Sequence, residues 1–310
     1  MISQSRKHQY CSRMARMLCI IGIGVLVFAH TAVGGVDRKD LKVPDEGNMQ
    51  VLKMNDGTTL TGRITEVRAE AVVFESSVGS VTVEIGKIAS VEEVSQDRFK
   101  GGQYWFPNPN RTRLYIGSTA RMLEQGAGYF MDVFVFFPSL SYGLTNNVTI
   151  TGGGSIFPGV DAEDQIFFGT LKVGLAAGEN FDVAASGLVI RVPDWDDDDD
   201  LDEPVVVGSV AGMATYGTDD ASVTAGLGFG YADDDFADKP VVTLGGEYRI
   251  SRRMSLVSEN WIIPEVEDPL VSYGVRFFGE GLAVDLAFVN VASGEAIFPG
   301  IPFVSFVWNF

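Results

Sequence analysis

Beyond about residue 110 the connections between apolar–polar alternating segments constrain the fold more than the segments do. The segments run at 111–119, 128–144, 147–157, 166–177, 181–192, 205–216, 221–231, 240–250, 254–263, 270–279, 282–290 and 301–310. Tight turns ("TNN" at 145–147, "AGEN" at 177–180, "TDD" at 218–220, "SRR" at 251–253, "GEG" at 279–281) alternate with longer connections at 120–127, 158–165, 193–204, 232–239, 264–269 and 291–300. In consecutive antiparallel strands, such alternation puts every long loop at one end of the sheet and every tight turn at the other. A barrel that crosses a membrane has this form, with strands of about 9–11 residues and an even strand count. The expected fold class is therefore all-β: a transmembrane up-and-down antiparallel barrel of about twelve strands, preceded by a small β domain. An even count leaves both ends of the barrel on the tight-turn side. The long 128–144 segment is expected to bend at Pro138.

Alternation within the segments assigns their faces. Val223, Ala225, Leu227, Phe229 and Tyr231 form one apolar row, with Ser222, Thr224, Gly226, Gly228 and Gly230 opposite. A soluble sandwich also alternates, but it does not sort its loops by length so regularly. The faces opposite the apolar rows collect Arg113, Asp132, Lys172, Asp182, Glu247, Arg249, Glu259, Arg276 and Asp285. A basic residue facing lipid near the midplane costs about 2–4 kcal/mol, so these nine are expected in the lumen. Two readings stay open. The charges form a paired network that fills and stiffens the lumen, or they line a narrow polar pore with Arg113, Lys172, Arg249 and Arg276 opposite carboxylates. The width of a twelve-stranded barrel does not decide between them. The first expectation for function is a narrow channel or passive pore for small solutes or ions. The second is an envelope adaptor whose plugged barrel anchors a periplasmic binding domain.

The N-terminus reads as a secretory signal over residues 1–34. Arg13 and Arg16 flank an apolar run from Leu18 to Ala29, and small residues follow, so cleavage is expected after Ala32 or Gly34. Both cysteines (Cys11, Cys19) and both histidines (His8, His30) lie in this segment. The exported chain then has no disulfide, no thiol nucleophile, no Ser-His-Asp chemistry and no zinc site of the usual kind. No enzyme activity and no cofactor are expected. Cleavage removes four basic residues and no acidic one, which takes the net charge from -18 to about -22. Nucleic acid is an unsuitable partner for such a chain.

Residues 35–48 read as a linker, 49–95 as a compact β domain, 96–110 as a second linker and 111–310 as the barrel. Within 49–95, "QVLKM", "TLTGRITEV", "AVVFES", "SVTVEI" and "ASVEEV" are five short strands, and Asn55-Asp56-Gly57 between the first two is a strong hairpin signal. The "DG…L.G.I" pattern resembles SH3-like and Sm-like small barrels. That resemblance implies a fold and no ligand; on the adaptor reading the domain binds a periplasmic partner. The acidic run around Asp196, Asp197, Asp198, Asp199 and Asp200 is expected to be a solvated loop. Divalent-cation binding is its weaker alternative, since the spacing of a calcium loop is missing.

The last segment, "FVSFVWNF", puts Phe306, Trp308 and Phe310 on one face. It resembles the terminal recognition strand of bacterial outer-membrane β-barrel proteins. The resemblance implies an outer-membrane location, lipid contact and a folding route through the barrel-assembly machinery, and no activity. The stretch "NRTRLYIGSTAR…GYF…FFPSLSYGLTNN" further resembles the opening of an uncharacterised group of such barrels. On this reading the final strand closes the barrel against the strand near Arg113–Ser118, and the small domain lies in the periplasm.

Overall fold

The computed structural model describes residues 36–193, 204–232, 235–264, 266, 268–292 and 298–310. The expected signal segment and the run Asp196–Asp200 lie outside the described residues. Among the described residues, no helix is long and apolar enough to cross a membrane, which says nothing of strands. The chain divides after Phe106 into two compact units.

In the first unit, strands β1 (Asn48–Met54), β2 (Thr59–Val67), β3 (Ala71–Ser76), β4 (Gly79–Glu84) and β5 (Ile88–Ser95) form an antiparallel sheet in the order β4-β3-β2-β1-β5. The Asp-Gly turn joins β1 to β2: Gly57 sits at φ 85°, and the Asp56 carboxylate accepts the Thr58 amide at 2.8 Å. Leu52, Ile64, Val72, Phe74 and Ile88 are fully buried and form the core. Gln50 is buried with them; its Oε1 accepts the Ile64 amide at 2.9 Å and its Nε2 donates to the Lys42 carbonyl at 2.9 Å. A two-stranded ribbon, β6 (Phe99–Lys100) and β7 (Gln103–Tyr104), follows within the stretch expected to be a linker.

The second unit is a closed barrel. Its strands are β8 (Gly128–Val133), β9 (Phe137–Thr145), β10 (Val148–Gly154), β11 (Phe167–Ala177), β12 (Phe181–Val192), β13 (Val205–Gly217) and β14 (Ala221–Ala232). After the short β15 (Asp235–Phe236), which folds back on β14, come β16 (Val241–Ser251), β17 (Met254–Ile262), β18 (Leu270–Phe278), β19 (Leu282–Val291) and β20 (Ile301–Asn309). Every neighbouring pair is antiparallel, and β20 pairs with β8 to close a ring of 12 strands. The outer surface carries Leu171, Val223, Leu244, Tyr248, Leu256 and Leu286, each about half exposed, as an apolar band requires.

Two expectations about the start of the barrel change. Residues 111–119 are not a wall strand, and the closing strand pairs with Tyr129–Val133 instead of the region of Arg113–Ser118. The 128–144 segment is two strands, broken at 134–136 and not at Pro138, which pairs within β9. Phe134 and Val135 make that turn at φ 55° and 67°, a region that β-branched residues seldom adopt. No Gly or Asn announces it, so an apolar run hid a reversal. The count of twelve survives because one strand was lost and another gained.

Candidate functional site: the occupied lumen

Residues 107–127 precede β8 and supply the contents of the barrel. A bridge between Arg113 and Ser118, together with Leu114 N donating to Gly117 O at 2.8 Å and Thr119 N to Thr112 O at 3.1 Å, folds 111–119 into an inner hairpin. The sequence alternates here because a hairpin also has two faces; both are enclosed by wall. Asn108, Asn110, Thr112, Arg113, Leu114, Tyr115, Thr119 and Ala120 are all buried.

One side of the hairpin is an ionic cluster. Asp285 on β19 receives Arg113 Nη1 at 2.6 Å on Oδ2 and Arg276 Nε of β18 at 2.6 Å on Oδ1, while Ser305 Oγ of β20 donates to Oδ2 at 2.8 Å. Arg276 Nη1 also donates to Glu247 of β16 at 2.8 Å, and Glu247 accepts Asn108 Nδ2 at 2.7 Å. Arg276 and Asp285 are fully buried and directly opposed on the β18–β19 ladder. Buried charges persist only when their hydrogen-bonding capacity is met by partners of this kind.

Two further clamps grip the hairpin by its backbone. At the tip, the Glu259 carboxylate of β17 accepts the amides of Tyr115 (2.7 Å), Ile116 (3.1 Å) and Gly117 (3.0 Å), with Trp261 Nε1 donating to it at 2.9 Å. At the base, Lys172 Nζ of β11 donates to the carbonyls of Thr112 (3.3 Å), Thr119 (3.1 Å) and Arg121 (2.8 Å). A carboxylate on amides and an ammonium on carbonyls are both charge-assisted arrangements. Between them, Thr215 Oγ1 of β13 accepts the Ala120 amide at 2.8 Å.

The remaining contacts are apolar or sit at the tight-turn mouth. Leu114 and Tyr115 pack with Val133, Val257, Ala287 and Phe303, a small core inside the barrel that polar-lumen reasoning did not anticipate. Arg121 pairs with Asp182 of β12 at 3.5 Å and donates to the carbonyls of Gly217 (2.7 Å) and Thr218 (2.9 Å). A cavity of about 340 Å³ opens beside it, lined by Arg111, Arg121, Glu124, Asn147 and Asp182 among others.

Together these contacts hold the hairpin against the wall at one level, with Ile116 at its tip exposed. Every wall strand places a buried inward residue there: Tyr129, Ser141, Thr149, Lys172, Ala184, Thr215, Thr224, Glu247, Val257, Arg276, Asp285 and Ser305. Their ladder positions match from strand to strand to within a few residues.

Of the nine charges expected in the lumen, Lys172, Asp182, Glu247, Glu259, Arg276 and Asp285 face the hairpin from the wall. Arg113 is inside the barrel too, but on the hairpin. Arg249 faces inward near the tight-turn rim, where it pairs with Asp220 at 3.0 Å and donates to Arg252 O at 2.6 Å. Asp132 is misplaced: it lies opposite Phe306 and Pro138, on the outer face of β8 beside the 134–136 turn. The apolar row of its strand faces the interior instead of lipid: Tyr129 and Val133 are buried, and Val133 packs with Leu114 and Tyr115 of the hairpin. Phe306, Trp308 and Phe310 alternate with the buried Phe303, Ser305 and Val307, and Phe306 and Phe310 are exposed on the outer face. Asn108, Thr215 and Arg121 were not singled out from the sequence. The polar run "NPNRTR" contains Asn108 alone of the three, and it reads equally well as a linker. Among the described residues, no group of acidic, His or Cys side chains could hold a metal ion.

No protein-family model matches the chain, and no curated protein matches it. Solved structures with some similarity include the KdgM porin (TM-score 0.39, 10% identity, covering 59% of this chain and 96% of that one). The NanC porin follows at TM-score 0.37 and 7% identity, covering 59% and 97%. The outer membrane protein Omp33 of Acinetobacter baumannii is similar at TM-score 0.34 and 11% identity, covering 59% and 95%. At these TM-scores the likeness carries no functional inference; what the chain's own pairing establishes is an all-β unit closed as a 12-stranded antiparallel barrel.

Proposed function

We propose that this protein is an outer-membrane channel for small polar solutes or ions, held closed in this structure by its inner hairpin. The manner of closure carries the reading. Among the described residues, each hydrogen bond between 108–121 and the wall has a side chain at one end or both, and none is a rung of strand pairing. A segment held by side chains can leave the lumen while the twelve-stranded ladder stays whole. A hairpin stitched into the wall could not.

The same reading takes the apolar outer band as the lipid contact and Phe306, Trp308 and Phe310 as the face read by the barrel-assembly machinery. Residues 36–106 then belong to the periplasm, because the chain enters the barrel from the tight-turn end.

Single-channel recording on the purified full chain tests it. Rare, brief openings are expected from the wild type and sustained ones from the double variant K172M/E259Q, which loses both backbone clamps. Silence from both proteins, with the barrel intact by circular dichroism, overturns the channel reading.

A further inference from the structure

We infer that the solutes admitted are cations, in particular those with a guanidinium or ammonium group; this rests on the channel reading above. The hairpin is held where such a solute would bind. Its Arg113 guanidinium occupies a seat made on the wall by Asp285, whose Oδ2 accepts Arg113 Nη1 at 2.6 Å. Its neighbour Arg121 occupies a second seat at the tight-turn mouth, made by the Asp182 carboxylate and the Gly217 and Thr218 carbonyls. Both seats offer acceptors on a fixed wall, and both are filled by the same chemical group.

The balance of charge points the same way. Among the described residues, the inward wall carries Lys172, Arg249 and Arg276 against Asp182, Glu247, Glu259 and Asp285. Arg276 alone serves both Glu247 and Asp285, and Arg249 is engaged with Asp220 at the rim. When the hairpin leaves, Arg113 and Arg121 go with it, Glu259 loses three amide donors and Asp182 loses its guanidinium. Negative charge in a low-dielectric passage focuses the field and favours cations. The long-loop entrance adds to it: among the described residues its connections carry Asp161, Glu163, Asp164, Asp235, Asp238 and Asp268 against Lys239.

Reversal potentials across a potassium chloride gradient test this in K172M/E259Q, whose two substitutions remove one wall charge of each sign. Should that variant fail to assemble, the openings of the wild type give the same reading. A preference for potassium over chloride on the order of tenfold is expected, together with a block by methylguanidinium that equal sodium does not produce. Current without cation preference, or with chloride preference, overturns this inference and leaves the channel standing. Cation preference without methylguanidinium block overturns the two guanidinium seats. No current from either protein removes the channel reading and this inference with it.

Discussion

Asp285 holds Arg276 of its neighbouring strand and Arg113 of the inner hairpin on its two carboxylate oxygens, each at 2.6 Å. One wall residue thus ties the barrel ladder to the segment that fills the barrel. All three side chains are almost wholly buried, so none can exchange its partners for water.

Replacing Asp285 by Asn keeps the shape and leaves two buried guanidinium groups facing each other. The expected cost is about 3–5 kcal/mol, the range for a buried pair broken from one side. Urea unfolding in detergent micelles, followed by Trp fluorescence, should show it. Adding Arg113→Gln should recover part of the loss, because the hairpin charge is then gone as well; additive losses would mean that Arg113 and Asp285 are not coupled.

At the hairpin tip, Glu259→Gln replaces one acceptor oxygen of a carboxylate by an amide donor. The amides of Tyr115, Ile116 and Gly117 lose acceptors and should exchange with deuterium at least about tenfold faster, equivalent to roughly 1.4 kcal/mol of local stability. Wall amides on β18 and β19 should exchange as before. Equal acceleration in wall and hairpin would show that the tip is no separate unit.

The seam between β8 and β20 has no spare room. A Cβ on Gly128 would stand 2.7 Å from both the Phe310 ring and the Ser141 carbonyl oxygen, and Gly128 and Phe310 exchange backbone hydrogen bonds of 2.8 and 2.9 Å. Gly128→Ala should therefore destabilise the barrel by about 1–3 kcal/mol. Phe310→Ala should lower the yield of assembled barrel in membranes, read as the fraction migrating in the folded form on unheated gels. Wild-type yield would remove the terminal aromatic face from the assembly route.

In the N-terminal unit, Glu93 accepts the Asn48 side-chain amide at 2.9 Å and the Asp45 amide at 3.0 Å, and pairs with Lys42 at 3.0 Å. The Asn48 hydrogen bond, followed by those of Lys42 and Asp45, holds its carboxyl down to about 2 from an ordinary value of 4.5. A folded-state value below the unfolded one stabilises above pH 4.5, and that stabilisation is lost as pH falls towards 2. Acid titration of residues 36–106 within the full chain, followed by amide exchange at β1 and β5, should show weakening in this window. Glu93→Gln should flatten the profile there.

The sequence carried the barrel well because its evidence was local. Period-two alternation and turn residues such as "TNN" and "AGEN" report the backbone at their own positions, so, the short β15 apart, the strands from β10 to β20 fall within three residues of where alternation puts them. The 134–136 turn had no such marker, since Phe134 and Val135 make it against their own preferences. With that reversal hidden, "TRLYIGST" reads as a wall strand; Asp132 reads as a lumen residue because the apolar Tyr129, Met131 and Val133, unlike other apolar rows, face inward.

What the sequence determined by itself was the architecture: a small β unit, then a barrel whose apolar rows face outward and whose charges, apart from Asp132, face in. The state of the lumen was decided only by the tertiary structure. Whether Arg113 meets Asp285, 172 residues away, or Lys172 meets three carbonyls of the hairpin depends on how the closed ring surrounds the segment before it. No spacing along the chain encodes that encounter. Both arrangements satisfy the same alternation, and only the three-dimensional pairing of buried charges selects the occupied one.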